Sequence, residues 1–251
     1  MGTSTMELSL PTISVIVCAF NEQTWIEVTI ASILGSGFPC EVIVVDDGST
    51  DQTPQILQRF GSRIRVITHP TNRGKGAALA SGLRSASGEI VVFCDAHLLG
   101  LRQHHLLSLV LPLAYGTARA VFGIDVPESI SPALVGAAPF FILTGQRAYF
   151  REDLLPLLDE AEDLGYGVEA YLFAKVPRDR TAVVLLPGLT HLAKTDTSTM
   201  PAATVAFLRE VMEIIETLVR INGLAPKEAG QLRQRISALL AKYTGILQKH
   251  D

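Results

Sequence analysis

The first hundred residues alternate between short apolar runs and stretches with helical spacing, and this alternation leaves few folds open. The apolar runs are rich in Val and Ile, which is typical of strands buried on both faces of a sheet. Between them, residues such as Ile26, Ile30 and Ile33 recur at helical spacing. The pattern predicts an α/β fold with a mostly parallel sheet flanked by helices. The predicted strands are residues 13–20, 41–46, 64–68 and 89–94.

The second half of the chain is less regular. We expect a helix at residues 104–115 and strands at residues 118–123 and 181–187. Residues 201–251 have the pattern of two amphipathic helices that are broken near Asn222, so they predict a C-terminal helical extension. An apolar stripe on these helices packs either on the chain's own domain or at the interface of a homodimer.

Composition excludes several classes of protein. Of the 251 residues, 48% are hydrophobic and 18% are charged, so the chain can bury a large core. The net charge of −4 and the absence of basic runs argue against a nucleic-acid partner and a polybasic membrane patch. No stretch reaches the roughly 18 to 20 apolar residues of a transmembrane helix, and no signal peptide is expected. Three cysteines without CxxC spacing fit a reducing compartment, so we expect a cytoplasmic protein.

Polar segments follow each of the four predicted strands, where ligands bind in open parallel sheets. The first segment contains no glycine, which argues against a dinucleotide site and against a sugar nucleotidyltransferase. The convergence of all four segments is a stronger signal than any one of them. The segments are AFNE (residues 19–22), DDGSTD (46–51), NRGKG (72–76) and DAH (95–97).

The side chains in these segments suit a phosphorylated ligand. Asn21 and Glu22 can hydrogen-bond a base or a ribose, or else they form a turn and a helix start. Asp47 can accept hydrogen bonds from a base or a sugar hydroxyl. Arg73 and Lys75 suit phosphate oxygens, with a solvated basic loop as the alternative.

Taken in order, CAFNE, VVDDGSTDQT, NRGKGAAL and FCDAH resemble the nucleotide-binding half of family 2-type glycosyltransferases, which have the Rossmann-like GT-A fold. The resemblance covers residues 13–101 and implies a nucleotide-sugar donor, with a UDP-sugar favoured over a GDP-sugar. It implies that Asp47 lies near the base and that Asp95 lies at the diphosphate. The predicted donor-binding residues are Ala19, Phe20, Asn21, Glu22, Asp47, Arg73, Lys75 and Asp95.

A second block at residues 144–172, TGQRAYFREDLL…GYGVEAYL, resembles the acceptor half of bacterial members of the family. These members include glucosyl-3-phosphoglycerate synthases and polyprenyl-phosphate sugar synthases. Thr144, Gly145 and Arg147 are the predicted acceptor-binding residues. Glu169 is the candidate general base of an inverting reaction, and in a retaining reaction it would orient the acceptor. A helix-start acid without a catalytic role is the alternative for Glu169.

The predicted metal site departs from the family pattern at one ligand. Members of the family usually carry Asp-x-Asp at the end of the fourth strand, and here His97 stands in place of the second acid. Asp95 and His97 form a plausible half-site, in which the imidazole moves the preference from Mg²⁺ towards Mn²⁺. His191, in LTHLAKT, resembles a histidine that completes the metal shell in related enzymes.

These observations predict a metal-dependent transfer of a sugar from a nucleotide-sugar to a hydroxyl or phosphate acceptor, which we expect to be small and soluble. The alternatives are a nucleotide-binding protein without turnover and a transferase with a polyprenyl-phosphate acceptor. Residues 1–200 are the predicted GT-A domain, with a donor half at 11–101 and an acceptor half at 102–200. The sugar, the acceptor, the stereochemistry and the oligomeric state are not specified by the sequence.

Overall fold

The computed structural model describes residues 11–126, 128 and 144–191, together with residues 213, 214, 217 and 221. The predicted break near Asn222 and most of the predicted C-terminal helices lie outside the described residues. Within the described part, no helix is both long enough and apolar enough to cross a membrane.

The secondary structure follows the predicted alternation closely through the first half of the chain. The strands are β1 Ile13–Ala19, β2 Glu41–Asp46, β3 Arg65–Thr68, β4 Ile90–Asp95, β5 Leu98–Leu99, β6 Ala120–Val126, β7 Arg147–Phe150, β8 Thr181–Pro187 and β9 Thr190–His191. The α-helices are α1 Ile26–Gly35, α2 Thr53–Gln58, α3 Lys75–Ser85, α4 Gln103–Ala114, α5 Arg151–Leu154, α6 Leu158–Ala161 and α7 Val168–Lys175.

Seven of the described strands form one sheet in the order β3-β2-β1-β4-β7-β6-β8. The strands β3, β2, β1 and β4 pair in parallel, as do β6 and β8, and β7 lies antiparallel between β4 and β6. The predicted α/β fold with a mostly parallel sheet is therefore confirmed, whereas β7 was not predicted. The chain runs outward from β1 to β3 and then returns to place β4 on the other side of β1. This reversal creates a crevice at the carboxyl ends of β1 and β4, where ligands bind in such sheets.

Helices cover both faces of the sheet because alternate side chains of the strands point to opposite faces. In β1, Val15 and Val17 belong to one buried cluster and Ile16 belongs to the other. The first cluster is covered by α1, α2 and α4, and the second by α3 and by α5 to α7. Since both faces of β1 are buried, the crevice at its end rests on a rigid, fully packed strand.

Candidate active site

A pocket lies at the carboxyl ends of β1 and β4. It brings together residues that the sequence assigned separately to the donor half and to the acceptor half. Apolar side chains and two cysteines complete its walls. The lining residues are Cys18, Lys75, Leu79, Phe93, Cys94, Asp95, Gly145, Arg147, Glu169 and Leu172.

Lys75 joins the two acids of this pocket. Its Nζ lies 3.0 Å from Oδ1 of Asp95 and 2.6 Å from Oε1 of Glu169. Burial by itself would lower the pKa of Lys75, but the two carboxylates outweigh burial and hold this pKa well above its usual value. Lys75 is therefore a fixed positive charge between the candidate donor-side acid and the candidate acceptor-side acid.

Glu169 is held from its other side by Arg147, whose side chain is almost completely buried. The Nε of Arg147 donates to the carbonyl oxygen of Thr144 at 2.5 Å, and Nη1 donates to the carbonyl oxygen of Glu169 at 2.6 Å. Its Nη2 lies 3.4 Å from Oε2 of Glu169. These contacts tie the guanidinium to the protein itself, so Arg147 fixes both the start of α7 and the carboxylate of Glu169.

Residues 144–146, directly before β7, pack closely against Asp95. A Cβ atom added at Gly145 would lie 2.0 Å from Oδ2 of Asp95, so only glycine fits at this position. Nε2 of Gln146 lies 3.5 Å from the same oxygen, and the Thr144 hydroxyl donates to the carbonyl oxygen of Gly123 at 2.5 Å. Of the predicted acceptor residues, Gly145 therefore lies against Asp95, whereas Thr144 bonds to the backbone of β6.

Asp47 organises the loop that leads into α3. Its Oδ1 accepts hydrogen bonds from the backbone N–H of Arg73 at 3.0 Å, and its Oδ2 accepts one from Gly74 at 2.8 Å. Nδ1 of His69 lies 2.6 Å from Oδ1 of Asp47, and Nε2 of His69 lies 2.9 Å from the hydroxyl of Ser81. Sequence reasoning gave His69 no role, and its place directly after β3 was the only local signal available.

The AFNE and DDGSTD loops are linked to each other by hydrogen bonds. Asn21 has a positive φ of 54°, and its Oδ1 accepts from the backbone N–H of Thr50 at 2.8 Å. Its own N–H donates to the hydroxyl of Ser49 at 2.9 Å, and the N–H of Glu22 donates to the hydroxyl of Thr53 at 2.9 Å. The polar groups of these loops thus fix one another along one rim of the crevice.

The remaining predicted donor residues differ in how far they reach the pocket. Ala19 is buried at the end of β1, and Phe20 is half-buried directly after it. The guanidinium of Arg73 turns away towards Glu162, with Nη2 at 2.5 Å from Oε1. Arg73 therefore lies on the rim, outside the pocket that contains Lys75.

The three predicted metal ligands lie on backbone segments that are next to one another. Asp95 ends β4, His97 follows two residues later, and the backbone of His191 pairs with that of Leu98 between β9 and β5. Within the described residues, no group of three or more His, Cys, Asp or Glu side chains is arranged to hold a metal ion. The carboxylate of Asp95 and the imidazole of His97 are donor types that suit Mn²⁺.

The pKa values of the two cysteines in the pocket are raised, which is opposite to the shift that activates a thiol. Burial raises the pKa of Cys18 to about 12, and burial also raises the pKa of Cys94. Both thiols are therefore protonated at neutral pH and act as small apolar groups of the wall, as the sequence suggested.

The described C-terminal residues pack against the turn that precedes α7. Oε2 of Glu213 accepts a hydrogen bond from the N–H of Tyr166 at 2.8 Å. A Cβ atom added at Gly167 would lie 1.8 Å from the hydroxyl oxygen of Thr217. Nζ of Lys75 lies 6.0 Å from the centre of the Tyr166 ring. The C-terminal segment thus touches the turn that carries Glu169 into the pocket.

Known proteins resemble this chain most clearly over its first half. Residues 14–132 match the family described as Glycosyl transferase family 2. The human dolichyl-phosphate beta-glucosyltransferase is 40% identical over 98 residues, which are 34% of this chain and 30% of that protein. Glucosyl-3-phosphoglycerate synthase of Mycobacterium tuberculosis is 40% identical over 114 residues, which are 42% of this chain and 35% of that protein. The matched segments thus span about a third of these relatives' own lengths.

Similarity to solved structures extends further along the chain. One crystal structure shows the Mycobacterium tuberculosis glucosyl-3-phosphoglycerate synthase in complex with Mn²⁺, UDP-glucose and phosphoglyceric acid. It superposes with a TM-score of 0.65 at 29% sequence identity, covering 86% of this chain and 81% of that one. The similarity therefore includes the acceptor-side elements as well as the donor-side loops. Residues 14–132 therefore resemble the Glycosyl transferase family 2 domain, and the mixed sheet flanked by helices matches the GT-A fold of the solved synthase.

Proposed function

We propose that this protein is a metal-dependent glycosyltransferase that moves a sugar from a UDP-sugar to a small acceptor carrying a hydroxyl or phosphate group. The observation that carries the proposal is the pocket in which Lys75 bridges Asp95 and Glu169. This arrangement joins a donor-side acid, a cation and an acceptor-side acid at the crevice where this fold class binds ligands.

The donor is proposed to lie across the crevice from the linked AFNE and DDGSTD loops to the pocket. The loops offer backbone and side-chain groups to the nucleoside, and Lys75 offers an ammonium to the diphosphate. The UDP moiety is favoured because the similar solved synthase was crystallised with UDP-glucose.

A divalent cation would be held by Asp95, His97 and His191. When bound, it would offset the negative charge that develops on the departing diphosphate. Lys75 adds a second positive charge on the same side of the site. The apolar walls of the pocket would limit the access of water to the reacting centre.

Glu169 is proposed to act on the acceptor hydroxyl. In an inverting reaction its carboxylate would take the proton of that hydroxyl, and in a retaining reaction it would accept a hydrogen bond and orient the acceptor. Because Nζ of Lys75 contacts Oε1 of Glu169, this ion pair must break before the acceptor hydroxyl can contact that oxygen. The anomeric configuration of the product, read by NMR, decides between the two roles.

Relatives of the chain include one protein named for a lipid phosphate and one named for phosphoglycerate. We favour the small acceptor because the similarity to the solved synthase covers the acceptor-side elements, whereas the similarity to the dolichyl-phosphate enzyme covers 34% of the chain. A parallel assay with a polyprenyl phosphate and with 3-phosphoglycerate distinguishes the two acceptor classes.

The experiment that tests the function is release of UDP from a panel of UDP-sugars in the presence of Mn²⁺, for the wild type and two variants. Asp95→Asn is expected to lower the rate at least about 100-fold, because it removes one of the charges that hold the donor-side cations. Asp159→Asn, which changes a fully exposed acid on α6, is expected to match the wild type. Equal rates for Asp95→Asn and the wild type, or no release by the wild type from any UDP-sugar, would contradict the proposal.

A further inference from the structure

The histidine that replaces the family's second acid lies beside a carboxylate from another loop. Nδ1 of His97 is 3.5 Å from Oε1 of Glu22, and the two side chains are 13% and 7% exposed. Glu22 follows β1 and His97 follows β4, so the two residues face each other across the crevice. Their separation in the sequence explains why no local motif indicates the pair.

The segment that carries His97 is fixed from below by α1. The hydroxyl of Thr29 lies 2.9 Å from the carbonyl oxygen of Ala96, and it accepts a hydrogen bond from the N–H of Leu98 at 3.0 Å. Thr29 is completely buried. The backbone on both sides of His97 is therefore held in place, and Glu22 acts on an imidazole whose position is already restricted.

A carboxylate beside one ring nitrogen of a histidine favours a proton on that nitrogen, so the other nitrogen is left to bind a metal. The negative charge of Glu22, 3.5 Å from Nδ1, favours the proton of the neutral imidazole on Nδ1 and leaves the lone pair on Nε2. Histidines that bind metals commonly have a carboxylate beside their other ring nitrogen, which fixes the ring and strengthens the ligand, and a small rotation of either side chain would bring this pair to hydrogen-bonding distance.

Resting on the proposed function, we propose that Glu22 is a positioning residue that directs Nε2 of His97 to the metal ion, so that the pair stands in for the missing acid. The charges agree with this role. A neutral His97 with an ionised Glu22 carries the same net charge as the aspartate of an Asp-x-Asp motif, but it presents a nitrogen ligand. The site then has the charge of two carboxylates and a preference for Mn²⁺ over Mg²⁺.

The test measures metal binding without turnover, by EPR titration of Mn²⁺ in the presence of UDP. Glu22→Gln is expected to weaken Mn²⁺ binding about 10- to 100-fold, which is typical of losing the carboxylate behind a metal-bound histidine. Glu27→Gln, an exposed acid on the neighbouring α1, serves as the matched control and is expected to leave the affinity unchanged. Unchanged affinity in Glu22→Gln would overturn the inference.

A double-variant cycle separates positioning from a direct role of Glu22. If Glu22 acts through His97, Glu22→Gln costs less than about twofold in a His97→Ala background, because interacting sites are not additive. His97→Asp restores the acid of the family motif and is expected to bind Mn²⁺ without dependence on Glu22. Full additivity of Glu22→Gln and His97→Ala would show that Glu22 acts elsewhere.

Two spectroscopic measurements on the wild type keep the inference testable even where a variant does not fold. Long-range ¹H–¹⁵N NMR of the metal-free protein is expected to show His97 protonated on Nδ1, and the opposite tautomer would exclude the proposed geometry. Electron spin-echo spectra of Mn²⁺ bound to the wild type are expected to contain the coupling of a directly bound imidazole nitrogen. Mn²⁺ that binds without this coupling refutes only the role of His97, whereas failure of Mn²⁺ and UDP to bind refutes the proposed function as well.

Discussion

At the scale of single residues, Lys75 is the group on which the pocket depends most. Lys75→Met removes the cation that bridges the carboxylates of Asp95 and Glu169. We expect the free energy of unfolding at pH 8 to fall by about 3 kcal/mol, as when one partner of a buried ion pair is removed. Lys175→Met, which breaks a half-exposed pair with Glu160 on the surface, is the control and is expected to cost less than about 1 kcal/mol.

The effect of Lys75 on stability has a definite dependence on pH. Because the pKa of Lys75 is raised in the folded protein, its contribution is fully present below the unfolded lysine pKa of about 10.4 and is lost as pH rises through the higher folded value. Urea unfolding of the wild type and Lys75→Met should therefore give a constant difference from pH 7 to about 10 and a smaller one above. A difference that already disappears near pH 8 would contradict the strong pairing.

At the scale of secondary-structure elements, α1 acts as a support for the end of β4. Thr29→Val keeps the shape of the side chain but removes the hydroxyl that bonds Ala96 and Leu98. We expect a loss of about 1 to 3 kcal/mol in the free energy of unfolding, because buried backbone groups lose their partner. Mn²⁺ affinity in the presence of UDP is also expected to fall, because His97 lies within the released segment.

The conservative variant Thr29→Ser provides the control, since it keeps the hydroxyl. Chemical denaturation and Mn²⁺ titration of Thr29→Ser should both lie near the wild type. If Thr29→Val and Thr29→Ser behave alike, the hydroxyl does not support the site.

The antiparallel strand β7 is an element of the main sheet that the sequence did not predict. It is four residues long and includes Arg147, a charged residue that a local pattern does not assign to the interior of a sheet. The strand forms because β4 and β6 pair with it on both sides and because Glu169 and Thr144 accept hydrogen bonds from the arginine. A buried charge of this kind depends on its tertiary partners, which the sequence of β7 does not contain.

At the scale of the whole molecule, the described C-terminal residues connect to the pocket through one turn. Glu213→Ala removes the acceptor of the Tyr166 N–H, so the turn before Glu169 is expected to loosen. We expect the KM for the acceptor to rise several-fold and the Kd of the UDP-sugar to change less, since the turn leads directly into the helix that carries Glu169. Steady-state kinetics and calorimetry measure these two quantities.

Glu213→Gln retains a side-chain oxygen that accepts the same hydrogen bond and should restore most of the acceptor KM. A change in donor affinity equal to the change in acceptor KM would instead indicate general destabilisation. The predicted homodimer interface on the C-terminal helices stays a prediction, and sedimentation of the full chain measures it directly.

The sequence by itself determined the alternation of strands and helices, the α/β class and the polar segments at the strand ends. It could do so because apolar periodicity and loop chemistry are local properties of the chain. It also indicated Asp95, Lys75 and Glu169 as candidate functional residues, but it did not indicate that their side chains are in contact.

Only the tertiary structure decided which strands are neighbours and therefore which loops share the crevice. It placed β4 beside β1, inserted β7 in the opposite direction, and brought Lys75 between Asp95 and Glu169. It also set Glu22 beside His97 and gave His69 a partner in Asp47. These contacts join residues far apart in the chain, so their energies depend on the packing of the whole sheet and not on any local pattern.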